Sequence, residues 1–197
     1  MKRILSTTLA IAIGAAISAS AMAQTSASEI QRNINQQTRI EQGLKSGELN
    51  TREAARLEQQ QSKVNRDQAR ALEDGKLSAA EKAKIQAEQN KVSQNIKQEK
   101  HDAQKGNPNS VSSQRMQADV QRNINQQERI KAGVTSGELT KKETAKLQRG
   151  QARVEHKQAV AGRDGQVGAR EQVLIQNAEN NQSNKIYQQK HDAQTKN

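Results

Sequence analysis

His101-Asp102 and His191-Asp192 are the residues in this chain best suited to holding a metal, since imidazole and carboxylate together favour zinc or copper. Neighbours on a helix point about 100° apart, so one such pair cannot chelate an ion tightly. Joining both pairs, or adding Glu99 or a partner chain, makes a site of two imidazoles and two carboxylates. The competing expectation is that these His and Lys residues complement the negative end of a helix. A second candidate lies at the glycine turns. Asp74, Gly75, Leu77, Ser78 and Glu81 match the second half of an EF-hand loop, and Asp164 and Glu171 hold the same places later on. The first half of that loop is missing: Arg70 and Leu72, and then Val160 and Gly162, stand where its leading acids belong. At Gly47 and Gly137 the third acid is replaced by Ser46 and Ser136. A divalent cation needs six or more oxygens, so the turns read better as helix starts with capping boxes.

Hydrolytic chemistry is disfavoured by distance. Ser93, His101 and Asp102 recur as Ser183, His191 and Asp192, but eight residues of helix separate the Ser from the His by about 12 Å, beyond hydrogen-bond reach. There is no HExxH sequence, nucleotide fingerprint or glycine-rich phosphate loop, and no Cys for thiolate ligation, disulfides, lipid attachment or nucleophilic catalysis. The expectation is a protein that is not an enzyme and needs no cofactor, with a divalent metal as the alternative.

These residues must be positioned by a unit that occurs twice. Residues 29–107 and 119–197 align without a gap at an offset of 90, with roughly half of the positions identical. Ile30, Ile34, Gln37, Glu41 and Leu44 alternate at spacings of four and three, a helical stripe with polar residues in two of its places. After Gly47, Asn50 and Glu53 form a cap pair, and Ala54, Leu57, Gln61, Val64, Gln68 and Ala71 share the next helical face. After Gly75, Ser78 and Glu81 repeat the device before Ile85, Gln89, Val92 and Ile96. The second copy turns at Gly137 and Gly165. Thr140 and Glu143 make one cap pair, Gly168 takes the capping place before Glu171, and Gly150 and Gly162 are expected to interrupt the helix between them and loosen this copy. The fold class is therefore all-α: two tandem copies of a three-helix unit, each an antiparallel hairpin or bundle. The boundaries are a leader at 1–23, copies at 24–105 and 115–197, and a linker at 106–114 that carries Pro108.

The leader reads as a bacterial signal peptide, with Lys2 and Arg3, an apolar run from Ile4 to Ile17 and Ala21-Met22-Ala23 as the cleavage site. Its apolar run is too short to span a membrane, and cleavage leaves no span. The destination is then periplasm or medium. Losing Lys2 and Arg3 removes two units of the formal charge of +11, and the remaining basic surface favours nonspecific contact with anionic envelope components. Specific nucleic-acid binding is not expected, because acids are interspersed with the Lys and Arg and Tyr187 is the only aromatic residue. So few large apolar residues imply a thin core that self-association or a partner would help stabilise. Gln31, Arg32, Asn35, Gln36 and Arg39, repeated as Gln121, Arg122, Asn125, Gln126 and Arg129, form amide-rich rows able to bind a glycan or a partner's helix. They serve equally as ordinary surface or as buried polar places that fix helix register. His156 reads as surface.

Three motifs carry a resemblance: Ser46 to Glu58, the Asp74 to Glu81 turn, and the Ser-x-x-Ile-x-x-x-Lys-His-Asp ending, fuller in the second copy with Ile186-Tyr187. In these the chain resembles small exported helical repeat proteins of proteobacteria over nearly its whole length after the leader. The resemblance implies export and helices and no particular chemistry. The function expected is a non-catalytic envelope protein that acts as a helical interaction module through self- or partner-association. A periplasmic metal-binding protein is the alternative.

Overall fold

Four helices start where the sequence provides a side-chain acceptor for a free N–H group, at Asn50, Ser78, Ser110 and Thr140. A computed structural model describes the backbone of residues 14–192 and the side chains from residue 26 onward. The expected basic start at Lys2 and Arg3 lies outside the described residues. Helix α1 spans Gly14–Ser46, α2 Thr51–Ala71, α3 Ala79–Lys100, α4 Val111–Ser136, α5 Lys141–Ala161 and α6 Ala169–Lys190. Among the described residues no strand occurs, and no helix is long and apolar enough to cross a membrane.

Asn50 Oδ1 accepts the Glu53 N–H at 3.0 Å while Glu53 Oε2 accepts the Asn50 N–H at 2.9 Å. Ser78 with Glu81, and Thr140 with Glu143, make the same reciprocal box. Gly168 keeps half of it: Glu171 Oε2 accepts the Gly168 N–H at 2.8 Å, but glycine has no side chain to return the bond. Ser110 caps α4 by accepting the Ser113 N–H at 3.2 Å, so this helix begins inside the segment expected to be linker. The turns at Gly47, Gly75, Gly137 and Gly165 all use positive φ, from 75° to 91°, which L-residues avoid.

The two copies do not stand apart. The most extensive helix contacts run between them, α2 against α5 and α1 against α4, while α3 lies on α1 and α2, and α6 on α4 and α5. The main apolar cluster is continuous through both copies, from Ile30, Leu44, Leu57 and Val64 to Met116, Ile130, Leu147 and Ile175. All the stripe residues predicted on the first three helices are buried, Gln37, Gln61 and Gln89 completely so. Helix α2 also buries a second face, Ala55, Glu58, Ser62, Asn65 and Ala69, against the other copy. Its small residues at 55, 62 and 69 recur as Ala145, Ala152 and Ala159. They let the helices meet closely enough for the Ser62 hydroxyl to donate to the Ala152 carbonyl at 2.8 Å.

Gly150 does not interrupt α5, which is continuous from Lys141 to Ala161. A Cβ at residue 150 would lie 2.0 Å from Gln182 Oε1, so the glycine admits the Gln182 side chain, whose amide donates to the Leu147 carbonyl at 2.9 Å. Gly162 does end the helix, leading into a short 3-10 turn at Gly162–Asp164. A Cβ there would meet Met116 at 2.7 Å and Ala55 at 2.9 Å. Both glycines are places of close approach, and the cost of their conformational freedom is set against packing.

Candidate functional site

The acids of the glycine turns are occupied by the turns themselves. Asp74 Oδ1 accepts the Lys76 N–H at 2.8 Å and Asp164 Oδ1 accepts the Gln166 N–H at 2.9 Å. Glu81 and Glu171 serve as helix caps. The His-Asp pairs sit at the ends of their own helices. His101 Nδ1 is 2.8 Å from the Lys97 carbonyl and His191 Nδ1 2.8 Å from the Tyr187 carbonyl, so each Nδ1 takes the donor role. The His191 ring stacks on Tyr187 with centroids 4.2 Å apart. Among the described residues neither pair joins the other. Among the described residues three potential ligands converge at Glu53, Glu99 and Asp102 alone. His156 is exposed, 3.1 Å from Gln59 Oε1 across the copies.

Part of each amide-rich row bonds the third helix of its copy, while Asn35, Arg122 and Asn125 remain exposed. Arg39 donates to the Ser93 hydroxyl at 2.6 Å and to its carbonyl at 3.2 Å, and Arg129 treats Ser183 in the same way at 2.7 and 3.2 Å. Gln36 donates to the Gln89 carbonyl and Gln126 to the Glu179 carbonyl. Arg32 donates to Asn90, while Arg122 donates to Asn180 and pairs with Glu179. Gln31 bonds Asn35, as Gln121 bonds Asn125. These bonds also occupy the hydroxyls of Ser93 and Ser183 as acceptors.

Between the copies lies a buried polar layer that respects the repeat. Gln37 donates to Glu58 of its own copy at 3.0 Å and to Glu155 of the other at 3.4 Å; Gln127 donates to Gln148 and Asn65 at 3.3 and 3.2 Å. Asn65 and Glu155 occupy equivalent positions and face each other, with Asn65 Nδ2 donating to both Glu155 oxygens at 2.6 and 2.8 Å. Burial pushes Glu58 up to about 8, against hydrogen bonds from Gln37 and Asn123 that favour its charged form. Glu155 is raised well above the ordinary carboxylate range by burial and then by nearby Glu58. Burial likewise raises Glu29 and Glu179 to about 7 and Asp119 to about 6, the last against a bond from Gln172. Fixed amide donors aimed at protonatable acids specify the docking of the two copies.

The outer faces of the copies have diverged. On the first, Asp67 takes Lys63 at 3.0 Å, Lys84 at 3.3 Å and Arg70 at 3.3 Å, and Lys63 also binds Glu88. Burial acts to raise the Asp67 carboxyl, but the Lys63 and Lys84 ammonium groups outweigh it and hold it low. At the equivalent places on the second copy stand Arg153 for Lys63, Lys157 for Asp67, Val160 for Arg70, Leu174 for Lys84 and Ala178 for Glu88. At the place of the ionic cluster lies a groove of about 240 Å³ between α5 and α6, lined by Val160, Ala161, Leu174 and Ile175 together with His156, Lys157 and the α6 cap residue Glu171. Val160 is 45% exposed, Leu174 59% and neighbouring Val173 55%. A basic cleft of about 310 Å³, lined by Lys146, Arg149, Arg153 and Lys185, lies between the same two helices. Arg149 is engaged by Glu73.

The sequence reading did not single out this groove. Its signal was present in the comparison of the copies, where charged residues of the first become apolar in the second at positions off the buried stripe. Comparison of the chain with protein-family models, curated proteins and solved structures finds no match.

Proposed function

We propose that the chain is a non-catalytic, exported helical interaction module whose second copy docks a partner protein in the groove between α5 and α6. One observation carries this reading: Arg70 and Lys84, which bracket Asp67 on the first copy, are replaced by exposed Val160 and Leu174 on the second. Exposed apolar side chains gathered on one face and rimmed by charge mark an interaction surface. An occupant must offer apolar side chains to Val160 and Leu174 and carboxylates to Lys157, Arg153 and Lys185. An amphipathic, acid-bearing helix does both, in the helix-in-groove mode. Two copies of this chain packed face to face through this groove fit poorly, since each would bring its own basic residues against the other's.

A photo-activated cross-linker placed at Leu174 in the full chain, in bacterial cells, tests the reading. The expected adduct is a protein segment with apolar residues at helical spacing flanked by Asp or Glu, and Val160→Arg in the same chain should remove it while leaving the far-UV circular dichroism unchanged. Adducts only with lipid, or none, would refute the proposal.

A further inference from the structure

The basic cleft between α5 and α6 holds cations that the protein itself leaves unbalanced. It measures about 310 Å³, and Lys146, Arg149, Arg153 and Lys185 line it with Gln188, Gln189 and the buried Leu147. No carboxylate lines it. Arg149 is paired with Glu73 of the first copy. Among the described residues no ion pair engages Lys146, Arg153 or Lys185, all three of them exposed. Like charges gathered in one cleft repel each other and focus a positive potential there, which draws in an anion.

The first copy provides the comparison. Its Lys63, equivalent to Arg153, is neutralised by Asp67 and Glu88. Its Asn95, equivalent to Lys185, donates to Gln60 at 2.6 Å and ties α3 to α2. Neither arrangement survives in the second copy, where Lys157 and Ala178 stand for Asp67 and Glu88, and Gly150 for Gln60. Arg149 also replaces Gln59, and Gln189 replaces Glu99. Every change of charge in the lining therefore makes the cleft more positive.

We propose that this cleft binds a phosphate-bearing anion, a diphosphate or a phosphate ester. A carboxylate brings a single charge, whereas a phosphate monoester brings about two at neutral pH, on three oxygens that accept from several donors at once. The Arg153 guanidinium can donate to two of them side by side, and the ammonium groups of Lys146 and Lys185 pair with the rest. No aromatic ring lines the cleft, so nothing in it stacks a base and the ligand is held by its phosphates. Arg153 and Lys185 also face an acidic occupant of the apolar groove, so the two ligands compete for them. The phosphate site does not rest on that docking, because it is measured on the chain alone.

Calorimetric titration of the full chain with sodium pyrophosphate, at about 0.15 M ionic strength to screen diffuse charge, tests it. The expected result is one saturable equivalent, weakened about tenfold by Lys185→Asn, which removes a charge-assisted bond and installs the first copy's residue. Lys91→Asn, which removes the same charge from an exposed place on α3, should leave the affinity unchanged. Sedimentation with phosphatidylcholine vesicles, with and without phosphatidic acid, separates the two sources of the group. Capture by the phosphatidic acid vesicles, lost in Lys185→Asn, assigns a lipid headgroup; pyrophosphate binding without capture assigns a soluble ligand. No saturable binding, or equal weakening by the two substitutions, would overturn the proposal. So would an oligoglutamate peptide that binds more tightly than pyrophosphate, since the cleft would then serve the acidic partner.

Discussion

Glu58 shows how one residue ties the chain to pH. It is fully buried in the layer between the copies, with Gln37 and Asn123 donating to Oε2 while Oε1 has no partner. Glu155, on the facing α5, adds its own negative field when both ionise. A carboxyl whose folded pKa is raised binds more protons folded than unfolded at intermediate pH. Its stabilising contribution is therefore complete below the ordinary carboxylate range and lost as pH rises through about 8 for Glu58 and about 7 for Glu179 and Glu29. The thermal midpoint should be higher at pH 5.5 than at pH 8.5. Glu58→Gln, which places at 58 the residue found at the equivalent 148, should flatten that dependence and add about 1–3 kcal/mol at pH 8.5. Urea unfolding at the two pH values measures it, and an unchanged slope with pH would show that Glu58 ionises freely in the folded state.

At the scale of elements, the contact that matters most is α2 on α5, made by small residues. Gly162, at the end of α5, has no room for a methyl group against Ala55 Cβ and Met116. Gly162→Ala should cost about 1–3 kcal/mol by forcing these helices apart, despite alanine's better helix propensity. Urea denaturation at pH 6 reads this directly; a neutral or stabilising effect would mean that the helices slide to accept the methyl group. The helices, their caps and their stripes were legible because Gly turns, Asn, Ser and Thr caps and the 3.6-residue period are local signals. The second buried face of α2 was not legible. Glu58 and Asn65 lie off the predicted stripe and carry no local mark of burial, which comes only from the second copy that covers them. Gly150 misled for the same reason: propensity registers the missing side chain, whereas the space it leaves for Gln182 is a property of α6.

For the whole molecule, duplication supplies the core that one copy lacks. Most large apolar residues of the two copies join in one continuous cluster, with Leu72, Leu77 and Ile85 in a second beside Ala145 of the other copy, and Gln37 and Gln127 bond across between the copies. That joining leaves each copy's outer face free to diverge, to an ionic cluster around Asp67 on one and an apolar groove at Val160 and Leu174 on the other. The candidate site was hidden from a reading by motif because it has none: it is a difference between two equivalent surfaces. Of the amide rows, Arg39, Arg129, Gln36 and Gln126 are spent inside the molecule on Ser93, Ser183 and the carbonyls of α3 and α6, and Asn35, Arg122 and Asn125 remain at the surface. The most direct measurement is photo-cross-linking run side by side from position 174 and from its first-copy equivalent, Lys84, in otherwise identical chains. The account predicts a protein adduct from 174 at least tenfold more abundant than from 84. Comparable yields from both positions would contradict it.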